Sequence, residues 1–196
     1  MLTNKAGYTE RQIQILNSAL DIISENGIES LTMKNIGERL DISDAALYKH
    51  FKSKSDIFYG IADIFESESN DILNKIISKH TGCIDKIESF YKNRITKFSK
   101  KKSTTVVLFS SEIIKDKLFK EKVYDIMKKH KKLLMGEIKK GQKSGEVIDT
   151  DPEHIFNIIM GSLRLLVEKW RLSEFNFDLK KEGNNQWRSL NKILKK

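Results

Sequence analysis

Thr32-Met33-Lys34-Asn35-Ile36-Gly37-Glu38-Arg39-Leu40-Asp41-Ile42-Ser43-Asp44-Ala45-Ala46-Leu47-Tyr48-Lys49-His50-Phe51 is the most informative run in this 196-residue chain. Thr32 can cap a helix whose Met33, Ile36 and Leu40 fall on one face. Asp41, Ile42 and Ser43 then interrupt the pattern, and Ser43 is the natural cap of a second short helix that runs through Phe51 on the good helix formers Ala45, Ala46 and Leu47. A helix, three residues of turn and another helix is the spacing of a helix-turn-helix, with Ile36, Leu40, Ile42 and Leu47 clamping the pair at a steep angle. Such a unit lays its second helix in the major groove of double-stranded DNA, the N-terminal half of that helix against base edges.

On either side of this run the periodicity remains helical. Thr9 and Gln12 form a capping box for a helix to Asn26, where Gly27 stops it. Ser53 and Asp56 open a long helix that runs toward Lys79. After a break at His80-Thr81-Gly82, Ile84, Ile87, Tyr91, Ile95 and Phe98 keep a helical period. Val106 to Phe109 could be a strand by propensity, but no second strand is available to pair with it, so a buried helix is expected. A helix is expected from Lys117 to about Lys140, with a turn at Gly141 and Gly145. Asp151-Pro152 starts another, apolar on more than one face and therefore expected to be buried on most sides. A last amphipathic helix covers Asp178 to Leu194. The fold class is all-α, with about nine helices.

Composition narrows the functional classes. The chain is 39% hydrophobic and 32% charged, with a single proline and a single cysteine. That is too apolar for a disordered chain, and Cys83 has no internal partner for a disulfide. Met1 to Gly7 carries no secretory signal, and no run of about 18 apolar residues offers a membrane span; a cytoplasmic, nucleoid-associated protein is expected. The formal net charge is +9, but residues 1–70 hold 7 Lys/Arg against 11 Asp/Glu and residues 71–150 hold 20 against 10. The excess is therefore not on the helix-turn-helix, and solvated helix faces account for it as well as nucleic acid does. Around the second helix, however, Tyr48, Lys49, His50, Lys52 and Lys54 make a local basic cluster.

The run Leu47-Tyr48-Lys49-His50-Phe51-Lys52-Ser53-Lys54, at this distance from Gly27 and Leu31-Thr32-Met33, resembles the DNA-binding domain of the tetracycline-repressor (TetR) family of transcriptional regulators. The resemblance covers about residues 9–69, with the helix-turn-helix at 32–51. It implies a helical ligand-binding and dimerisation domain over 70–196, a homodimer, a palindromic operator and a small-molecule effector. Gly37, Asp41 and Ala45 depart from the family's usual alanine, glycine and glycine. By this resemblance the DNA-binding candidates are Thr32, Lys34, Ser43, Asp44, Ala45, Ala46, Tyr48, Lys49, His50 and Lys54. Tyr48, His50 and Lys54 are expected on phosphates, and Asp44 either accepts from a cytosine amino group or serves as a first-turn acid.

In the C-terminal region Phe90, Arg94, Phe98, Phe109, Met127, Met160, Arg164 and Trp170 are candidates for a ligand cavity. Ordinary core packing explains most such residues. Arg94 or Arg164 could meet an anionic ligand or an internal acid such as Glu168. His80, His130 and His154 have no carboxylate or thiol at ligand spacing, so no metal and no cofactor is expected. No phosphate-binding glycine loop, nucleophile elbow or metalloprotease motif is present, which argues against an enzyme. Two other readings stand beside a repressor released by a small molecule: a DNA-bound scaffold that recruits a protein partner, resembling the nucleoid-occlusion members of the family, and a helical ligand carrier or enzyme without DNA binding.

Overall fold

The structure is a computed structural model that describes residues 6–79 and 82–196. Among these the chain forms nine α-helices: α1 Glu10–Asn26, α2 Met33–Leu40, α3 Asp44–Tyr48, α4 Lys54–Lys79, α5 Cys83–Lys100, α6 Lys102–Phe109, α7 Lys117–Ser144, α8 Pro152–Leu172 and α9 Leu179–Leu194. Short 3-10 turns occupy Ile28–Ser30 and Ile113–Lys115, and no strand is present among the described residues beyond one bridge between Val147 and Lys195. Of the break expected at 80–82, His80 and Thr81 lie outside the described residues.

The helix starts follow the capping chemistry. Thr9 and Gln12 satisfy each other's backbone N–H groups at α1, and Thr32, Ser43, Asp151 and Asp178 cap α2, α3, α8 and α9. Two elements differ from expectation. The helix α3 ends at Tyr48 rather than Phe51, because Phe51 is buried and stacks on Tyr8, while Ser53 and Asp56 already satisfy the start of α4. The helix α7 passes through Gly141 and stops only at Gly145, whose φ is +77°. Gly141 lacks a side chain because of a neighbour, not a turn: a Cβ there would lie 2.4 Å from Val147 Cγ2.

The chain divides into two compact units. The first contains the residues up to Asn70 together with Lys101–Ile126. A boundary between 69 and 70 was expected from sequence; the added segment joins because Val107, Ile113, Phe119 and Ile126 share one apolar core with Ile15, Leu16, Ile36, Leu47 and Ile61. Ionic contacts reinforce it. Lys122 pairs with Asp63 and, at 2.6 Å, with Glu66, and Lys101 holds Glu68 at 2.7 Å. Part of the basic excess of the middle segment therefore faces the acids of α4.

The second unit contains Asp71–Lys100 and Met127–Lys196. Here α5 and α9 approach closely at Gly183, where a Cβ would lie 2.7 Å from Ile95 Cγ2. Tyr91 stacks near Trp187 and donates its hydroxyl to Gln186 at 2.6 Å. Glu146 accepts from the backbone N–H groups of Cys83 and Ile84 and so caps α5. The helix α8 buries Ile155, Phe156, Ile159, Leu163, Val167 and Trp170, but its opposite face leaves Ile158, Leu165 and Leu172 in solvent. The expectation that α8 is covered on most sides does not hold within one chain.

Candidate nucleic-acid interface

The helix-turn-helix is assembled from the inside. Ile36 and Leu47 are fully buried, and Leu40 and Ile42 pack at the edge of the same core. Asp41 closes α2 in the left-handed region at φ 50°, and the Ile42 N–H donates to the Gly37 carbonyl at 3.0 Å. Aspartate takes this conformation more readily than most side chains, so it can stand where glycine is common. Gly37 is the complement of that turn. A Cβ at this position would come within 3.2 Å of the Ile42 carbonyl oxygen and 3.5 Å of Asp44 Oδ1.

With the apolar residues turned inward, α3 presents its polar face outward. Ser43, Asp44, Ala45, Tyr48 and Lys49 are exposed, and Ala46 and His50 are half-buried. Ser43 Oγ accepts from the Ala46 N–H at 3.2 Å, and Thr32 Oγ1 accepts from the Asn35 N–H at 3.0 Å. Lys34 lies in solvent beside Glu38, at 3.7 Å. The Tyr48 ring is 47% exposed, too open for a packing residue. A shallow groove runs along Lys34, Gly37, Glu38, Asp41, Ile42, Ser43 and Asp44. Lys54 is placed differently: its ammonium lies 5.5 Å from the Phe58 ring centroid, in a recess shared with Glu29, Glu112 and Asp116.

Two supports were not visible in the sequence. Gln12 of α1 reaches the His50 carbonyl at 3.5 Å, and Arg39 makes two 2.6 Å bonds to Glu25, tying α2 back to α1. The contact between Arg39 and Glu25 holds the Glu25 carboxyl below its ordinary range. Pairs so far apart in sequence carry no periodic signal.

The C-terminal candidates separate. Phe90, Arg94 and Phe98 are buried on α5. Arg94 Nη2 lies 2.7 Å from His130 Nε2, with the Phe90 ring against both. Burial brings the Arg94 guanidinium down to about 9, and burial together with Arg94 and Lys97 takes His130 down to about 2, so the imidazole is neutral and accepts. Trp170 is buried and donates Nε1–H to the Phe177 carbonyl, which fixes the loop before α9. Phe109 and Met160 are half-buried, and Met127 and Arg164 are exposed. Glu168 takes Arg171 as its bidentate partner, at 2.6 and 3.2 Å. Cys83 is a buried free thiol, pushed up by burial and then by Glu146 and Glu137, the opposite of a reactive thiolate. No metal-binding group of His, Cys, Asp and Glu occurs among the described residues, and no described helix is long and apolar enough to cross a membrane. His80 lies outside the described residues.

The chain matches known proteins over most of its length. Residues 15–60 match the family model of bacterial regulatory proteins of the tetR family, and residues 65–192 match that of the C-terminal region of YsiA-like proteins. The chain belongs to the TetR family. Over 86% of this chain and 88% of the relative, it is 23% identical to the fatty acid metabolism regulator protein of Bacillus subtilis. Over 98% of each chain it is 20% identical to the nucleoid occlusion factor SlmA of Vibrio atlanticus. Among solved structures it resembles FadR from Bacillus subtilis in complex with stearoyl-CoA, at a TM-score of 0.75 and 21% identity over 92% of this chain and 98% of that one. It also resembles a TetR regulator from Haloarcula marismortui, at a TM-score of 0.83 and 14% identity over 96% and 100%. As a member of this family the protein is a ligand-responsive, DNA-binding transcriptional regulator.

Proposed function

We propose that the protein is a homodimeric repressor that places α3 of each subunit in successive major grooves of a palindromic operator and leaves it when a long-chain acyl ligand is bound. The observation that carries this reading is the outward face of α3. Its apolar residues are consumed by the fold, while Asp44, Ala45, Tyr48 and Lys49 are left in solvent. Base edges would be met by Asp44, Ala45 and Ala46. Phosphates would be met by Thr32, Lys34, Ser43, Tyr48, Lys49, His50 and Lys54, the last after swinging out of its recess.

The dimer is supported by α8. Ile158, Leu165 and Leu172 are spaced by one heptad each and all exposed, a seam that a second copy would cover; Ile193 of α9 is exposed as well. The acyl effector is supported by the stearoyl-CoA of the similar FadR structure and by the apolar side chains of the second unit, among them Phe90, Phe98, Met127, Met160 and Trp170; Phe109 belongs to the first unit. Arg94 or Arg164 would face a polar head group. Such a protein works on chromosomal DNA in the cytoplasm. A second reading, a DNA-bound scaffold for a protein partner, draws on the SlmA similarity, which rises to 31% identity over 71 residues, 36% of this chain.

The test is an operator-retention assay on DNA selected by the protein, with stearoyl-CoA added. The repressor reading expects release at saturating acyl-CoA, with operator affinity lowered for Tyr48→Ala and Lys49→Ala alike on every DNA sequence. A complex that acyl-CoA leaves intact, in a protein that binds it no more tightly than free CoA, would favour the scaffold.

A further inference from the structure

The leading turn of α3 offers very little hydrogen-bonding chemistry. Ala45 and Ala46 have none in their side chains, and Ser43, the cap, accepts from the Ala46 N–H and keeps its O–H for a phosphate rather than a base. Asp44 alone remains. It is exposed, and its carboxylate makes no hydrogen bond or ion pair with any described residue. Asp41, on the same groove, has no such partner either but is spent on the turn that ends α2, whereas Glu25 holds Arg39, Glu38 faces Lys34, and Asp56 accepts from the Lys52 N–H. The carboxylate rests over Gly37, 3.5 Å from where a Cβ would be, at the rim of the groove between α2 and α3.

We infer that Asp44 is a specificity-determining residue of the operator complex and that it selects a cytosine in each half-site. This rests on the regulator reading above and names what the recognition helix reads. An ionised carboxylate can only accept, and it enters a groove walled by phosphates that repel it. Guanine and thymine present acceptors at the major-groove edge and repel it further. Adenine offers its N6 amino group, but N7 beside that group is another acceptor. Cytosine offers the N4 amino group with only an apolar C5–H next to it. Of the four bases, cytosine alone gives the acid a donor without a neighbouring acceptor on the same base. Discrimination thus comes largely from the penalty for an unpaired acid at the wrong base. The flanking methyl groups of Ala45 and Ala46 add apolar contact without hydrogen-bond preference.

The experiment selects bound duplexes from a random pool with the wild-type protein, Asp44→Asn and Asp44→Ala, each checked for an unchanged helical spectrum and melting temperature. The wild type is expected to enrich a palindrome with one fixed cytosine per half-site, and replacing that base pair should weaken binding roughly 5- to 100-fold. Asp44→Asn should move the preference at that position alone to adenine, since an amide both donates to N7 and accepts from N6. Asp44→Ala should lose preference there and keep the rest of the palindrome. A palindrome whose base preferences are the same in all three proteins, or whose altered position is not cytosine in the wild type, overturns the assignment and leaves the regulator reading standing. Failure of the wild type to enrich any sequence removes both.

Discussion

Asp41 shows how one side chain can carry a turn. It occupies the left-handed region that ends α2 and is exposed, so its substitution removes no packing. Asp41→Ala should cost about 1 kcal/mol and Asp41→Gly nothing, as read by thermal or denaturant melting. Equal melting points for all three proteins would mean that the turn stores no backbone strain. His130 gives the pH-dependent counterpart. Its folded-state value near 2 lies below the ordinary 6.5, so the unfolded chain takes up the proton first. The stability it provides is complete above about pH 6.5 and is lost as the pH falls toward 2. Melting from pH 7 down to pH 4 should therefore show a decline that His130→Gln flattens. The sequence offered His130 only as a histidine without metal partners; its contact with Arg94, 36 positions away, comes from the packing of α5 against α7.

At the level of elements, what was legible is what the chain encodes locally. The Thr32 and Ser43 caps, the Asp151-Pro152 start and the apolar face of α2 depend on residues within four positions of one another, and each is found where that spacing puts it; on α1 the buried face turns toward Ile15 and Ile22, leaving Ile13 and Leu20 half-buried at its edge. Gly141 misled for the same reason. Its purpose is set by Val147 across a tight turn, and nothing local distinguishes a glycine that ends a helix from one that admits a neighbour. The partition of Lys101–Ile126 was likewise hidden, although the opposite charges of the first 70 and the next 80 residues were its one trace. Gly183 offers a direct check on the contact between α5 and α9. Gly183→Ala forces a methyl into Ile95, 2.7 Å away, and should cost about 1–3 kcal/mol. Ile95→Ala, which removes both Cγ atoms that the new methyl would meet, should cost less in the Gly183→Ala background than in the parent. An Ala variant as stable as the parent would contradict that close approach.

For the whole molecule, function requires two copies. A single α3 of five residues has few contacts to offer, and pairing two of them in register lets one operator hold both. Leu165 is 69% exposed in one chain, at the centre of the Ile158-Leu165-Leu172 seam. Leu165→Glu should leave the fold and the helical spectrum intact, shift the protein to a monomer in sedimentation, and weaken operator binding far more than a surface change elsewhere. A Leu165→Glu protein that remains dimeric would place the interface elsewhere. Release by an effector then becomes a question of spacing: for a near-complete switch the ligand must favour the non-binding arrangement by about 5 kcal/mol.

The most direct measurement is a hydroxyl-radical footprint of the protein on its selected operator, taken with the mass of the complex. Two protected patches on one face of the duplex, their centres about 10 base pairs apart, with two subunits bound and both patches weakened by Tyr48→Ala, are the predicted result. A single protected patch with one subunit bound, or protection that Tyr48→Ala leaves unchanged, would contradict the docking of α3 twice in a symmetric pair.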